Sequence, residues 1–149
     1  MISEALYRRA RATLAVGEAE PVVTVEIPLT LPSRANKPVT TRGARMDEAR
    51  RHKSQRNAAY LALCGPVARL VRPRAPDETR LRPPPPLAVR MVRIAPRTLD
   101  DDNLAAALKS VRDGIASVLR VDDRDPRVTW VADQLQGHAA SVLVEVYRL

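Results

Sequence analysis

The chain is poor in cysteine, glycine and aromatic residues. Its single cysteine, Cys64, excludes a disulfide or a cysteine-based zinc site within one chain. The five glycines among 149 residues form neither a dinucleotide-binding fingerprint nor a Walker phosphate loop. With one tryptophan, three tyrosines and no phenylalanine, the chain lacks the aromatic residues of a base-stacking RNA platform. These scarcities exclude several enzyme and binding classes.

Long apolar runs are also missing. No segment reaches the roughly 18–20 apolar residues that a membrane span needs. Arg8, Arg9 and Arg11 interrupt the N-terminal segment, where a signal peptide would have its apolar core. We therefore expect a soluble, cytoplasmic protein with no membrane partner. Its 149 residues are enough for one ordinary domain with a single core.

Positive charge is concentrated in the middle of the chain. Residues 34–97 hold 16 basic and four acidic side chains, a net charge of +12, whereas residues 98–149 hold six and nine, a net charge of −3. Because most of the excess is arginine, whose planar guanidinium favours phosphate, it indicates a surface that attracts polyanions. A GC-rich genome would also produce an arginine-rich surface, so the composition leaves both explanations open.

Apolar periodicity predicts a small α+β domain. The predicted helices cover residues 3–15, 47–64 and 102–119, and the predicted strands cover residues 22–29, 87–95, 127–133 and 139–147. Gly65-Pro66 should end the second helix just after a buried Cys64, and a turn at Gly137-His138 should join the last two strands as a pair. We expect a single domain over residues 21–149, with a four-stranded antiparallel or mixed sheet and helices packed on one face. We expect residues 1–20 to be a helical extension that precedes this domain.

The clearest candidate site is an acidic cluster in this basic protein. Asp100-Asp101-Asp102-Asn103 stands where a strand gives way to a helix, and Asp122-Asp123 follows that helix. In an extended backbone, residues i and i+2 project to the same side, so Asp100 and Asp102 can point at one cation. Carboxylate oxygens of this kind select Mg²⁺ or Mn²⁺, which also accept phosphate oxygens as ligands.

Each acidic motif also has an ordinary structural explanation. An acid at the start of a helix caps backbone N–H groups; Asp100 or Asp101 could have that role, and Asp101 is the better placed of the two. The segment from Asp122 to Pro126 is typical of a solvated turn. One acid is enough for a cap and three in a row repel each other, so the combination favours a metal site. His52 and His138 have no serine or cysteine partner that would indicate nucleophilic catalysis.

These residues, in this order, resemble the RusA family of Holliday junction resolvases, which are small dimeric Mg²⁺-dependent endonucleases of phages, prophages and bacteria. The resemblance covers about residues 22–149. It rests on Asp100-Asp101-Asp102-Asn103, Lys109, Asp113-Gly114-Ile115, Val121-Asp122-Asp123 and the upstream loop Pro32-Ser33-Arg34-Ala35-Asn36. It implies that Asp100, Asp102 and Asp123 are catalytic metal ligands, with Asp122 adjacent, and that Lys109 contacts the scissile phosphate or stabilises the leaving group. Lys109 lies one helical turn further along than the family pattern places its lysine.

The resemblance implies a RusA-like endodeoxyribonuclease that uses Mg²⁺, or Mn²⁺, to hydrolyse phosphodiesters of branched DNA such as four-way junctions. It also implies a homodimer, a role in recombination and repair, and no small-molecule cofactor. Basic residues of 34–56 and 69–97 would hold the DNA arms through phosphate contacts. The candidate DNA-contacting residues are Arg34, Lys37, Arg42, Arg45, Arg50, Arg51, Lys53, Arg56 and Arg97.

Two other interpretations stay open at this point. One is a catalytically inactive RusA-like DNA-binding protein of phage or prophage origin, which keeps the fold and the basic surface. The other is a phage or structural protein that is not a nuclease and whose acids only cap a helix.

Overall fold

A computed structural model of the chain describes residues 20–32, 41–71 and 85–149. Its elements are β1 (Val23–Ile27), α1 (Arg42–Val71), β2 (Leu87–Ala95), α2 (Asp101–Leu119), β3 (Val128–Gln136) and β4 (Ser141–Arg148). The strands form one four-stranded sheet in the order β1-β4-β2-β3. β4 is antiparallel to β1 and β2, and β3 is parallel to β2. The predicted α+β domain with a mixed sheet is therefore confirmed. The predicted helix over residues 3–15 lies outside the described residues.

The hydrophobic core lies between one face of the sheet and the two helices. Alternate residues of β2 point into it, as the sequence pattern predicts, whereas Arg90 points to the opposite face. The sheet contributes Leu87, Val89, Met91, Val142, Val144 and Val146, and the helices contribute Ala59, Leu63, Val67, Leu104, Leu108, Val111 and Ile115. Burial of this apolar surface is the main force that holds α1 and α2 against the sheet.

The helix α2 follows the predicted apolar stripe closely. Leu104, Leu108 and Ile115 recur at the spacing of one helical face, and all three are buried. The helix ends at Arg120, whose φ of 55° is left-handed. Val121 N then donates to Ala116 O at 3.1 Å, which satisfies one of the last helical carbonyls. This C-cap ends α2 immediately before the loop that carries Asp122 and Asp123.

The helix α1 continues past the predicted stop at Gly65-Pro66 and includes Pro66. Gly65 has no Cβ, so the part of the clash between a proline ring and the preceding residue that involves Cβ is absent. Val67 is fully buried beyond the proline, and its burial offsets the lost backbone hydrogen bond. The expectation of a buried Cys64 is also wrong, because its thiol lies on the exposed side of this longer helix. In the described part of the chain, neither helix is long and apolar enough to cross a bilayer.

The last two strands are not neighbours, so the predicted pairing across Gly137-His138 is wrong. β2 lies between β3 and β4, and the short connection at Gly137 passes over its end. Every β4 residue from Ser141 to Tyr147 is buried, whereas most β3 residues are partly exposed. The more apolar strand β4 therefore lies in the interior of the sheet, and β3 is an edge strand.

Candidate nucleic-acid and metal site

Side chains of the sheet fix the loop that precedes α2. Leu99 N donates to Gln134 Oε1 at 2.8 Å, and Gln134 Nε2 donates to Leu99 O at 2.6 Å. On the other side, Arg93 Nη1 donates to Arg97 O at 2.8 Å. Burial lowers the pKa of the Arg93 guanidinium below its ordinary value. The residue immediately before the acidic cluster is thus held at both of its backbone polar groups.

Asp100, and not Asp101, caps α2. Asp100 Oδ1 accepts from Asn103 N at 2.9 Å, and Oδ2 accepts from Asn103 Nδ2 at 2.9 Å. These hydrogen bonds, the backbone one above all, hold the pKa of Asp100 below its usual range. The extended backbone ends at Asp100, with φ −69° and ψ 165°, and Asp101 is already helical.

Asp102 also lies in the first turn of α2. Asp100 and Asp102 are therefore not two successive same-side positions of a strand, and that argument for a shared cation does not apply. Asp102 is exposed, and it has no hydrogen bond or ion pair with the residues that the structure describes. The positive end of the helix dipole stabilises its carboxylate.

Lys109 and Asp113 continue the face of α2 that Asp102 begins. Separations of seven and four residues place the three side chains in one row. Lys109 Nζ lies 3.1 Å and 3.2 Å from the two carboxylate oxygens of Asp113. Because the Lys109 side chain is 65% exposed, this surface ion pair contributes little to stability and leaves the ammonium available to other anions.

A groove of about 360 Å³ runs between α2 and the edge strand β3, next to this row. Its polar lining consists of Lys109, Arg112 and Asp123. Its apolar lining comes from α2, β2 and β3: Met91, Ala105, Ala106, Leu108, Trp130 and Ala132. The groove therefore joins the predicted lysine to one of the predicted acids.

Arg112 holds the loop that carries Asp123. Its guanidinium donates to the Asp123 backbone oxygen and lies over the Trp130 ring, 5.1 Å from the centroid. The Asp123 carboxylate itself makes no hydrogen bond or ion pair within the described ranges. Sequence reasoning missed Arg112, and it expected Trp130 to be a core residue of a strand, which is how the ring packs in part. The one available signal was that Arg112 follows Lys109 by three residues on the same helix.

The neighbouring acids stabilise the turn, as the alternative explanation expects. Asp122 Oδ1 accepts from Arg124 N at 2.9 Å. Asp125 accepts from Arg127 N at 3.0 Å and pairs with the Arg127 guanidinium at 2.6 Å. The side-chain hydrogen bonds of Arg127 are the main reason why the pKa of Asp125 falls to about 2.

The structure does not bring the predicted metal ligands together as one group. Across residues 20–32, 41–71 and 85–149, no three His, Cys, Asp or Glu side chains are placed to hold a metal ion. Arg112, which contacts Asp123, lies ten residues after Asp102 on α2, or roughly 15 Å along the axis. Mg²⁺ needs only one or two carboxylates, because water and substrate phosphate complete its shell. The free carboxylate of Asp102 and the remaining lone pairs of Asp100 fit that requirement.

The predicted DNA-contacting residues of α1 lie on the surface. The described members of the predicted DNA-contacting set are all exposed: Arg42, Arg45, Arg50, Arg51, Lys53, Arg56 and Arg97. Arg34 and Lys37 lie outside the described residues. Arg50 and Lys53 share one open face of α1 with Asn57. Arg56 Nη2 donates to Ser117 Oγ at 3.0 Å, so the basic helix adjoins α2.

Two arginines of the basic segment are buried instead. Arg90 Nη1 lies 3.0 Å from Glu145 Oε2, and Arg90 Nη2 lies 2.5 Å from Asp133 Oδ2, on the sheet face opposite the helices. Tyr147 Oη donates to the same Glu145 oxygen at 3.0 Å. Arg93 is bound to loop carbonyls. The expectation that residues 69–97 hold DNA is therefore wrong for Arg90 and Arg93, whose charges are used inside the fold.

His52 has a serine partner, contrary to the sequence-based expectation. A hydrogen bond of 2.5 Å joins His52 Nδ1 and Ser110 Oγ, and Glu48 Oε1 lies 3.6 Å from His52 Nε2. Ser110 is 5% exposed, at the contact of α1 with α2. A nucleophile must reach its substrate, so this arrangement joins the helices and does not form a hydrolytic site. Its partners are 58 residues apart, which no local pattern reveals.

Comparison of the chain with protein-family models, with curated proteins and with solved structures finds no match. The fold defines the class, a small α+β domain with two helices on one face of a mixed sheet. The features that bear on function are therefore the charged side chains on α2 and in the groove beside it.

Proposed function

We propose that the chain is a RusA-like, Mg²⁺-dependent endodeoxyribonuclease that cleaves branched DNA, with Mn²⁺ as an alternative ion. The observation that carries the proposal is that Asp102 and Lys109 lie on one face of α2. Lys109 also lines the groove between α2 and β3, together with Asp123. Two free carboxylates and an exposed lysine stand there next to a basic helix. Acids that hold a metal and cations that contact phosphate are what metal-dependent phosphodiester hydrolysis uses.

Each residue has a distinct part in this proposal. Asp102, with Asp100 beside it, would hold the ion, which supplies a Lewis acid for the phosphate and lowers the pKa of attacking water. Lys109 leaves its weak surface pair with Asp113 to contact the scissile phosphate. Arg112 keeps Asp123 in the groove, where its carboxylate faces the bound strand.

The exposed cations of α1 would bind the DNA arms. Arg50 and Lys53 on the open face of the helix can contact phosphates without reading sequence. A two-fold homodimer would provide two active sites for the paired cuts that a four-way junction requires. Such a substrate is found in the cytoplasm of a bacterium or a phage-infected cell, and the reaction serves recombination and repair.

The test is cleavage of a synthetic four-way junction by the wild-type protein in Mg²⁺, in Mn²⁺ and in EDTA, with a linear duplex of the same sequence as control. We expect cuts in the junction with either ion and none in EDTA. Cleavage that is equal in EDTA, or absent with both ions, would contradict the proposal.

A catalytically inactive DNA-binding protein is the second candidate. The observation that favours it is the use of both Asp100 oxygens in capping α2, together with the separation of Asp102 from Asp123. This candidate predicts junction binding that survives EDTA, with no cleavage in either ion. If the protein binds no DNA at low salt, both candidates fail and the acids are only structural.

A further inference from the structure

We infer that the groove between α2 and β3 binds one nucleotide unit of a DNA strand, with its base against the apolar lining and its phosphate at Lys109. This inference deepens the proposed function and rests on it for the choice of DNA as ligand. It assigns a role to residues that no motif singled out, namely Trp130, Arg112 and Ala132.

The size and lining of the groove suit a base with one phosphate. Its volume of about 360 Å³ lies at the lower end of the range for small-molecule sites. Ala105, Ala106 and Ala132 give it an accessible apolar wall, against which the face of a planar base can lose water, and Met91 and Leu108 lie buried beneath them.

The charge of the groove favours a single phosphate group over a polyphosphate. Its lining residues include two cations, Lys109 and Arg112, and one acid, Asp123, for a formal sum of +1. A single phosphate group carries one negative charge as a diester and about two as a monoester, so either form is closer to this sum than a triphosphate is. A triphosphate would meet the unpaired carboxylate of Asp123 with its excess charge.

The walls of the groove are fixed before any ligand arrives. Arg112 packs over Trp130 and holds the Asp123 backbone, so helix, loop and edge strand are tied together by one side chain. Arg112 Nε and Trp130 Nε1 are both buried and, among the described residues, unpaired. These groups stay in place because the ring and the guanidinium pack on each other. A preformed site avoids the cost of ordering on binding.

Trp130 is the only tryptophan of the chain, so its fluorescence reports on this groove alone. We would titrate the protein, without divalent ions, with 5′-dAMP, deoxyribose 5-phosphate or inorganic phosphate, and excite at the red edge of the tryptophan band. We expect a saturable fluorescence change with dAMP, and binding of deoxyribose 5-phosphate that is about tenfold weaker, because the burial of the apolar face of the base is lost. Equal binding of dAMP and deoxyribose 5-phosphate, or no change with dAMP, would overturn the inference.

Two variants on β3 test whether dAMP binds in this groove. Ala132→Leu fills the groove from an exposed position, whereas Thr129→Leu adds the same side chain at an exposed position on the opposite face. We expect dAMP to bind Ala132→Leu about tenfold more weakly and Thr129→Leu as it binds wild type. Ala105→Leu fills the groove from α2 and should repeat the effect of Ala132→Leu. Unchanged binding to both filled variants would contradict the assignment.

The assay contains neither a metal nor a cleavable substrate, so it separates two failures. If junctions are not cut but dAMP binds and the filled variants lose it, the nuclease proposal fails and the nucleotide site stands. If junctions are cut and dAMP causes no change, the nuclease proposal stands and the nucleotide site fails.

Discussion

Asp100 has a structural role and, in the proposed function, a catalytic one. It caps α2 through its side chain, and the proposed metal site would use its carboxylate as a ligand as well. Asparagine caps a helix as well as aspartate does, whereas alanine does not. The two substitutions therefore separate the cap from the charge.

We expect Asp100→Asn to keep the denaturation midpoint of the wild type and to lose most junction cleavage. Asp100→Ala should lose cleavage and also unfold at lower denaturant concentration, because the Asn103 amide loses its acceptor. Urea unfolding and junction cleavage, measured on both variants, check this. Full cleavage by Asp100→Asn would restrict Asp100 to the cap.

For single residues, the sequence predicted which acids lie at the start of α2, but not which of them caps the helix. It located the acidic cluster, and it expected that one of the acids would cap the helix. It chose Asp101 for that role because the helix was expected to begin at Asp102, and the backbone becomes helical one residue earlier. The roles of Arg112 and Gln134 depend on partners distant in sequence, such as Asp123 and Leu99, so no local pattern could indicate them.

The contact between α1 and α2 depends on a glycine. A Cβ added at Gly114 would lie 2.5 Å from Arg56 O and 2.9 Å from Ala59 Cβ. We expect Gly114→Ala to lower the free energy of unfolding by about 1–3 kcal/mol, because the helices must separate.

Gly43 provides the matched control, since a Cβ there meets nothing within 4 Å. Gly43→Ala in the first turn of α1 should leave stability unchanged or raise it by up to about 1 kcal/mol. Both values come from urea unfolding at one pH. Equal stability of the two variants would show that the helices do not approach as closely as described.

Gln134 is a positioning residue for the acidic end of α2. Its amide closes two hydrogen bonds with Leu99, the residue before Asp100. Gln134→Ala should speed hydrogen exchange at the Leu99 amide and lower the cleavage rate by about tenfold, because the loop no longer fixes the acids.

Gln136→Ala is the control for this effect, because Gln136 makes a single bond to the same loop, at Pro96 O. It should leave the Leu99 amide protected and cleavage close to that of the wild type. A cleavage rate unchanged in Gln134→Ala, with faster exchange at Leu99, would mean that the loop does not position the site.

At the scale of elements, apolar periodicity predicted the positions of the strands and of α2 in the sequence. It did not predict the order of the strands in the sheet. The bounds of β2 are those predicted, because its apolar run stands between a proline run and Pro96. The order β1-β4-β2-β3 depends on which strand buries most surface, a property of the whole sheet. The length of α1 was underestimated, because a proline usually ends a helix and here the burial of Val67 outweighs it.

For the molecule as a whole, the proposal is that the exposed basic residues of α1 bind DNA through its phosphates. Binding through phosphates weakens as salt rises, and each lost contact reduces the slope of log affinity against log salt by about 0.9. Arg50→Ala combined with Lys53→Ala should therefore reduce that slope by about two, at unchanged stability.

Arg148→Ala is the control, an exposed arginine at the end of β4 that does not belong to the open face of α1 shared by Arg50 and Lys53. Its slope should equal that of the wild type. The measurement is junction binding by gel shift in EDTA over a series of salt concentrations. Slopes that are equal in the double variant and in Arg148→Ala would place the DNA on another surface.

The most direct test of the nuclease site compares Asp102→Asn with Asp101→Asn on a synthetic four-way junction. Both residues are exposed acids in the first turn of α2, so the two variants share any effect on folding, dipole and net charge. We predict that Asp102→Asn cleaves about 100-fold more slowly or not at all in Mg²⁺ and binds the junction as well as wild type, or more tightly. Asp101→Asn should cleave normally. Cleavage by Asp102→Asn at the rate of Asp101→Asn would contradict the account.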